Sequence, residues 1–179
     1  KGTPVQHLAK AAGFSKKTLV VHANRLINAD IEMLQRVGAD VVHCPRSHAW
    51  FGHANFDCDR LAKAGVNICI GTDSLASTGG ETAVMGLNMF AEMQELSRNH
   101  PKLPCEDLLQ MATANGATAL GLGDEIGLLK EGLIANMAVI PYSDSVSSVP
   151  EAIVQHSCPV AMLMIEGKRA FSGIDSIVD

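Results

Sequence analysis

Ala64 to Ser77 read AGVNICIGTDSLAS, and the fold of the chain turns on how that stretch is parsed. Val66 to Ile70 is apolar and too short for a helix of its own, so it is expected to form a buried strand. Gly71-Thr72 ends it, and Asp73 and Ser74 stand at its C-terminal end. Just upstream, Asp57 is placed to cap a helix that carries Leu61 and Ala64 and stops at Gly65. Moving outward, the same unit recurs. Asn28 is placed to cap a helix with Ile31, Leu34 and Val37 on one face and Gly38 after it, and Asp40 to Val42 is the next short strand. Before that, Thr3-Pro4-Val5-Gln6 starts a helix, with Thr3 as cap, Pro4 at the first helical position and Gln6 three residues after the cap. Val5, Leu8, Ala9 and Ala12 share its apolar face, and Thr18 to Val21 is the strand that follows.

Strands are therefore expected near 18, 40 and 66, each preceded by an amphipathic helix. Alternation at this spacing implies parallel strands joined by right-handed helical crossovers. Both a doubly wound sheet and a (β/α)8 barrel satisfy it. Every strand runs into a polar cluster: His22-Ala23-Asn24, then His43 to His48, then Gly71 to Ser74. Polar residues converging from the C-terminal ends of successive strands are how a barrel builds an active site. No GxGxxG or P-loop follows any strand, which counts against a nucleotide-binding fold.

Farther along, a long helix is expected from Glu81 to about Arg98. Met85, Met89, Met93 and Leu96 form a stripe on it that reads as core-facing, with a sulfur-rich ligand surface as the alternative. Leu108, Met111, Ala112 and Ala119 predict one further helix ending around Gly121 to Gly123. The character changes after Asp124. Ile126 to Gly132 is a turn-rich bridge, Met137 to Tyr142 and Val160 to Ile165 are strand-like, and Glu166-Gly167-Lys168 has the form of a tight hairpin turn. The chain thus divides into residues 1–123, a partial α/β barrel, and 124–179, part of a small β-domain.

Composition narrows the partners. Among 179 residues, 18% are charged and the net charge is -5, without any basic run, which argues against nucleic-acid binding. The apolar stretches are far shorter than a membrane span. Cys44, Cys58, Cys69, Cys105 and Cys158 are odd in number and form no CxxC pair. That favours reduced thiols in the cytoplasm over a disulfide framework or a structural zinc site. Neither nucleic acid nor a membrane is therefore an expected partner.

Asp73 is the sharpest candidate. A carboxylate at the end of a buried strand must be paired, hydrogen-bonded or metal-bound, because burying it alone is costly. Metal ligand or general base is one reading and a helix-capping Asp is the other. His22 and His43 follow apolar runs in the same way, and a hydrogen-bonded structural histidine is the competing reading for each. Recurrence at equivalent places in consecutive units is what joins the three. A metal hydrolase needs a metal that acidifies water, a carboxylate that takes the proton and a histidine that holds the nucleophile. One Asp and one His do not complete such a site, since catalytic zinc keeps about three protein ligands.

The order VHANRL (21–26), VVHCPRSH (41–48), AGVNICIGTDSLAS (64–77), MATANGATALGL (111–122) and IGLLKEGLIANMAVI (126–140) resembles the metal-dependent amidohydrolase superfamily. The nearest branch is the deaminase and chlorohydrolase group, which includes cytosine, guanine and methylthioadenosine deaminases. The resemblance covers almost the whole chain. It implies the C-terminal part of a (β/α)8 TIM-like barrel, strands six to eight, plus part of a small appended β-sandwich.

Roles follow from that resemblance residue by residue. Asp73 resembles the strand-eight aspartate that binds metal and shuttles the water proton. His22 resembles the strand-six histidine, which contacts water or substrate and is a second candidate metal ligand. Ser77 matches a substrate-contacting serine. Arg46, Ser47, His48 and Trp50 lie on the strand-seven loop as candidate substrate contacts, with Phe51 and His53 extending it; many relatives have Asn in place of His48. The implied cofactor is Zn, with Fe the alternative, and most of its ligands, an HxH and a strand-five His with a nearby Glu, are expected upstream of Lys1. The implied function is hydrolysis of a non-peptide carbon–nitrogen bond, deaminating a purine- or pyrimidine-like ring with metal-bound hydroxide as nucleophile. A chlorohydrolase on a triazine-like ring and a non-catalytic scaffold are the rivals. The chain is expected to be an incomplete piece, inactive alone, that associates with the missing N-terminal part or as a dimer or larger homo-oligomer.

Overall fold

The computed structural model describes residues 2–78, 86–142 and 149–172. Its first half builds the expected sheet. Strands β1 (Leu19–Val21), β2 (Asp40–His43) and β3 (Ile68–Ile70) run parallel in chain order, with Val20 opposite Val41 and Val42 opposite Cys69. Helices α1 (Pro4–Ala12), α2 (Asn28–Val37) and α4 (Cys58–Lys63) precede them in turn. Leu34, Val41, Leu61 and Ile68 interlock at the centre of the core. Gly71 permits a close approach of β3 to β2, since a Cβ there would meet Val42 Cγ1 at 2.9 Å.

Helix starts show which sequence signals the chain uses. At α1 the Thr3 hydroxyl accepts from Gln6 N at 3.1 Å and the Gln6 side chain accepts from Thr3 N, the reciprocal capping pair expected. The same hydroxyl donates to Asp30 Oδ1 at 2.7 Å, and Asp30 Oδ2 accepts from Ile27 N, so one buried carboxylate ties α1 to the start of α2. Asn28 is not the cap of α2; its side chain accepts from Arg60 instead. Asp57 likewise pairs with Arg60 and leaves the α4 amides alone.

Two further expectations are corrected. The stretch after β2 is a helix, α3 (Pro45–Trp50), where a loop was expected. The single helix expected over 108–119 is two, α6 (Cys105–Ala112) and α7 (Ala114–Ala119), broken at Thr113 with φ -131° and ψ -90°. Thr113 Oγ1 donates back to Leu109 O, and the break lets Asn115 reach Ile68 O on β3 at 2.8 Å. Helix α5 spans Met89–Asn99; Met93 and Leu96 are buried, while Glu81 to Met85 lie outside the described residues.

Strands β4 (Met137–Val139), β5 (Met162–Ile165) and β6 (Lys168–Ser172) form a second, antiparallel sheet. Glu166 and Gly167, both at positive φ, make the β5–β6 turn. The division at 123/124 is not followed by the packing. Helix α8 (Val149–Val154) returns to lie on α5 and α6, and Val154 is fully buried in the first core. Among the described residues no helix is long and apolar enough to cross a membrane.

The sheet is asymmetric at its edges. β3 is buried throughout, whereas on β1 Leu19 is 38% and Val21 50% exposed. An unpaired apolar edge strand invites association. Expressed alone at micromolar concentration in reducing buffer, residues 1–179 are expected to self-associate by light scattering, and Val21→Lys to reduce that association. A monodisperse wild-type monomer contradicts this.

Candidate active site

The two outer strands of the parallel sheet end in unusual backbone. His22 (φ 71°) and Ala23 (φ 48°) follow β1, and Asp73 (φ 55°) follows β3. Ala23 N donates to Val21 O at 3.0 Å across His22, a three-residue turn that is rare with positive φ at its centre. Non-glycine residues held this way cost about 1–3 kcal/mol each and concentrate at functional sites. The ladder holds them in place: His22 N donates to Val42 O and Gly71 N to His43 O, both at 2.8 Å.

These turns aim two side chains at each other. His22 Nε2 lies 3.9 Å from Asp73 Oδ2, with the side chains 41% and 30% exposed. Ser47 Oγ donates to the same Asp73 oxygen at 2.7 Å. That hydrogen bond is the main reason the Asp73 carboxyl lies below its ordinary pKa; Ser77 and His22 lower it further, against some desolvation. Asp73 is thus a carboxylate at neutral pH. A cavity of about 400 Å³ opens beside it, lined by His22, Asn24, Ser47, His48, Phe51 and His53. Asp73 itself sits at its rim, through its contacts with His22 and Ser47.

Of the residues singled out from the sequence, His22, Ser47, His48 and Asp73 come together. Arg46 points away from the cavity: it is buried, its Nη1 donates to Gly86 O at 2.8 Å, and it stands 3.7 Å from Glu92 Oε1. Trp50 is exposed at the end of α3, outside the cavity lining. Ser77 is buried in the 3-10 turn Leu75–Ser77, donating to Ser74 O at 2.9 Å. His48 spans two loops, its Nε2 donating to Ala54 O at 2.7 Å and its Nδ1 lying 2.9 Å from Asn24 Oδ1. His43 ends β2 as expected, but its ring is buried and stacked on Phe56, 3.9 Å between centroids, so its part is in the core.

Asn24 and Glu92 were not singled out by sequence reading. Asn24 lay within the first polar cluster. Glu92 had a legible signal, because it falls three residues after Met89 on the apolar face of α5, where a carboxylate has no business unless it is paired. It is fully buried, and burial pushes its carboxyl up to about 7.

A metal is chemically compatible with part of this arrangement. His22 and Asp73 offer an imidazole and a carboxylate side by side at an open strand mouth, two donors of the kind zinc takes. Among the described residues no group of three or more His, Cys, Asp or Glu could hold an ion, so the pair is an incomplete donor set.

The model of the Amidohydrolase family matches residues 1–170. The chain belongs to the amidohydrolase family. A 5-methylthioadenosine/S-adenosylhomocysteine deaminase from Pyrococcus furiosus is 34% identical over 139 residues, covering 77% of this chain and 33% of that protein. An adenosine deaminase from Xanthomonas campestris, solved with bound zinc, superposes with a TM-score of 0.85 at 27% identity, covering 94% of this chain and 40% of its own. A mutant atrazine chlorohydrolase from Arthrobacter aurescens TC1, complexed with zinc and atraton, superposes at 0.77 with 20% identity, over 98% of this chain and 42% of its own. The chain therefore spans between a third and somewhat over two-fifths of these relatives. As a family member it has a TIM-barrel-type fold, of which the parallel βα units here are a portion.

Acid should act on this amidohydrolase portion through His43. Burial, reinforced by His48, lowers its pKa from 6.5 to about 3. Between those values the unfolded chain binds a proton that the folded chain refuses, so stability present above pH 6.5 is lost as pH falls toward 3. In the full-length protein, His43→Phe, which preserves the stack on Phe56, is expected to move the acid-unfolding midpoint followed by circular dichroism to lower pH. An unchanged midpoint would show that other groups control acid unfolding.

Proposed function

We propose that this chain supplies one side of the active site of a metal-dependent hydrolase that deaminates a purine- or pyrimidine-like ring. The observation that carries the reading is the pairing of His22 and Asp73 across the strand mouth, 3.9 Å apart, on backbone that is strained at both residues. The family membership and the deaminase names of its relatives support it. In this reading β1, β2 and β3 are strands six, seven and eight of the barrel, and β4 to β6 belong to the small β-sandwich.

Asp73 and His22 would hold the metal, zinc in preference to iron, with the remaining ligands from strands that precede these in the barrel. Bound there, the ion would acidify the attacking water. The chain's own groups do the rest. Asp73, ionised at neutral pH, accepts the water proton and passes it to the leaving amine. His22 orients the water from the opposite strand. Ser47 keeps one Asp73 oxygen engaged, so the proton is taken up on the other. Phe51 and His53, on the cavity wall, offer rings against which a heterocycle can stack. The protein is expected to act on a small molecule in the cytoplasm, as an oligomer.

The test is metal-dependent ammonia release by the full-length protein from aminated purines, pyrimidines and pterins, with a chlorotriazine as the halide-release arm. Asp73→Asn keeps the size and removes the proton acceptor, so kcat should fall by about a hundredfold or more. His22→Asn should also be severe and His53→Asn milder. Residues 1–179 alone should show no turnover. Near-normal activity in Asp73→Asn would overturn the assignment, and halide release without ammonia would move the substrate to the triazine class.

A further inference from the structure

Helix α3 begins without a cap of its own. Cys44 occupies the capping position and makes no side-chain bond to the helix amides, while Pro45 takes the first helical position. The next amide, Arg46 N, is an orphan donor that must find a partner inside the protein. It finds Glu92, whose Oε2 accepts at 2.9 Å from α5, forty-six residues away in sequence. The Arg46 side chain adds a second anchor to the same region, donating to Gly86 O just before α5. The residue after Arg46 is Ser47, whose hydroxyl holds Asp73. The path from Glu92 to Asp73 is therefore one backbone amide, one residue and one hydroxyl.

We propose that Glu92 is a positioning residue of the active site, acting as a substitute cap for α3 that keeps Ser47 against Asp73. The inference rests on the hydrolase reading given above for what Asp73 does. Its physical basis is the cost of the arrangement. Glu92 has no exposure at all, and among the described residues its Oε1 has no hydrogen-bond partner, with only the Arg46 guanidinium near it at 3.7 Å. A Leu or Met would complete the apolar stripe of α5 without that burden. What the carboxylate adds is an acceptor at the reach needed by Arg46 N. Without it the first turn of α3 keeps only the Arg46–Gly86 anchor and its own His48 N–Cys44 O bond, and the hydroxyl carried on that turn is less firmly placed. Ser47, assigned from sequence to substrate contact, becomes in this view the link between the cap and the carboxylate.

Three substitutions separate reach from charge in the metal-loaded full-length enzyme. Glu92→Gln keeps an oxygen at the same reach and should leave kcat within about threefold of wild type, since a neutral acceptor still serves a backbone amide. Glu92→Asp withdraws the acceptor by about 1.5 Å. Glu92→Met removes it while filling the apolar stripe, and because it also removes the counter-charge 3.7 Å from buried Arg46, its folded state is verified by circular dichroism before kinetics. Both should lower kcat about tenfold, as Ser47→Ala should, the size expected for one hydrogen bond to a charged group. KM should change little. Combined with Ser47→Ala, neither should lose much more than the single variants, because each acts through the same hydroxyl. Multiplying losses, or Ser47→Ala with normal kcat, would overturn the proposal. Crystal structures decide it independently of turnover: the 2.7 Å Ser47–Asp73 contact should persist in Glu92→Gln and be lost in Glu92→Asp and Glu92→Met. Persistence in all three overturns it. A wild-type protein with no hydrolase activity would instead sink the functional reading and leave the geometry to be judged by those structures.

Discussion

Both turns that carry the site hang on β2. Val42 O accepts from His22 N, and His43 O accepts from Gly71 N, so the parallel ladder extends just beyond the outer strands on each side. Those hydrogen bonds give the polar turns a common reference. A buried peptide carbonyl that loses its partner is penalised by about 1–3 kcal/mol. That penalty is of the same order as the cost of holding His22 and Asp73 in left-handed backbone that neither would choose alone. Close packing at Gly71 brings β2 and β3 near enough for the arrangement to close, and the core under Val41 keeps the reference strand still.

The site is thereby layered. Exposed at the mouth are an imidazole and a carboxylate. Beneath them lies α3, a short helix whose own sequence gives it a proline start and no cap. Beneath that lies a carboxylate in the core of α5. Glu92 accepts from the amide that α3 leaves open, α3 in turn donates its Ser47 hydroxyl to the carboxylate above it, and the charge at the bottom has its pKa raised while the one at the top has it lowered. The opposite shifts follow from surroundings alone: burial for Glu92, a donated hydroxyl hydrogen bond for Asp73.

Much of this was legible in the sequence because it follows from periodicity. The three strands, their order and the polar residues at their ends are properties of alternating βα units, and β1 to β3 fall within two residues of the expected positions. The capping pair at α1 was legible because both members are local. What was not legible depends on contacts between distant residues. Asn28 and Asp57 have the right identity for caps, yet Arg60 engages both of their side chains. The PRSHAW segment carries no apolar period long enough to announce α3. The resemblance made Arg46 a candidate substrate contact through its place on the strand-seven loop, and only the fold shows that its partners lie behind it, at Glu92 and Gly86.

Helix α8 has a consequence for how the protein is made. Residues of α6 such as Leu108 and Met111 are covered in part by a helix that begins at Val149, after the chain has already passed through β4. During synthesis at about 5–20 residues per second, the apolar face of α6 therefore leaves the ribosome seconds before its cover does. In that interval the part that α8 will cover is a patch without its native mate, of the kind that chaperones hold, while α5 and β3 already pack on α6. The packing around α5 and α6 closes only when Val154 arrives.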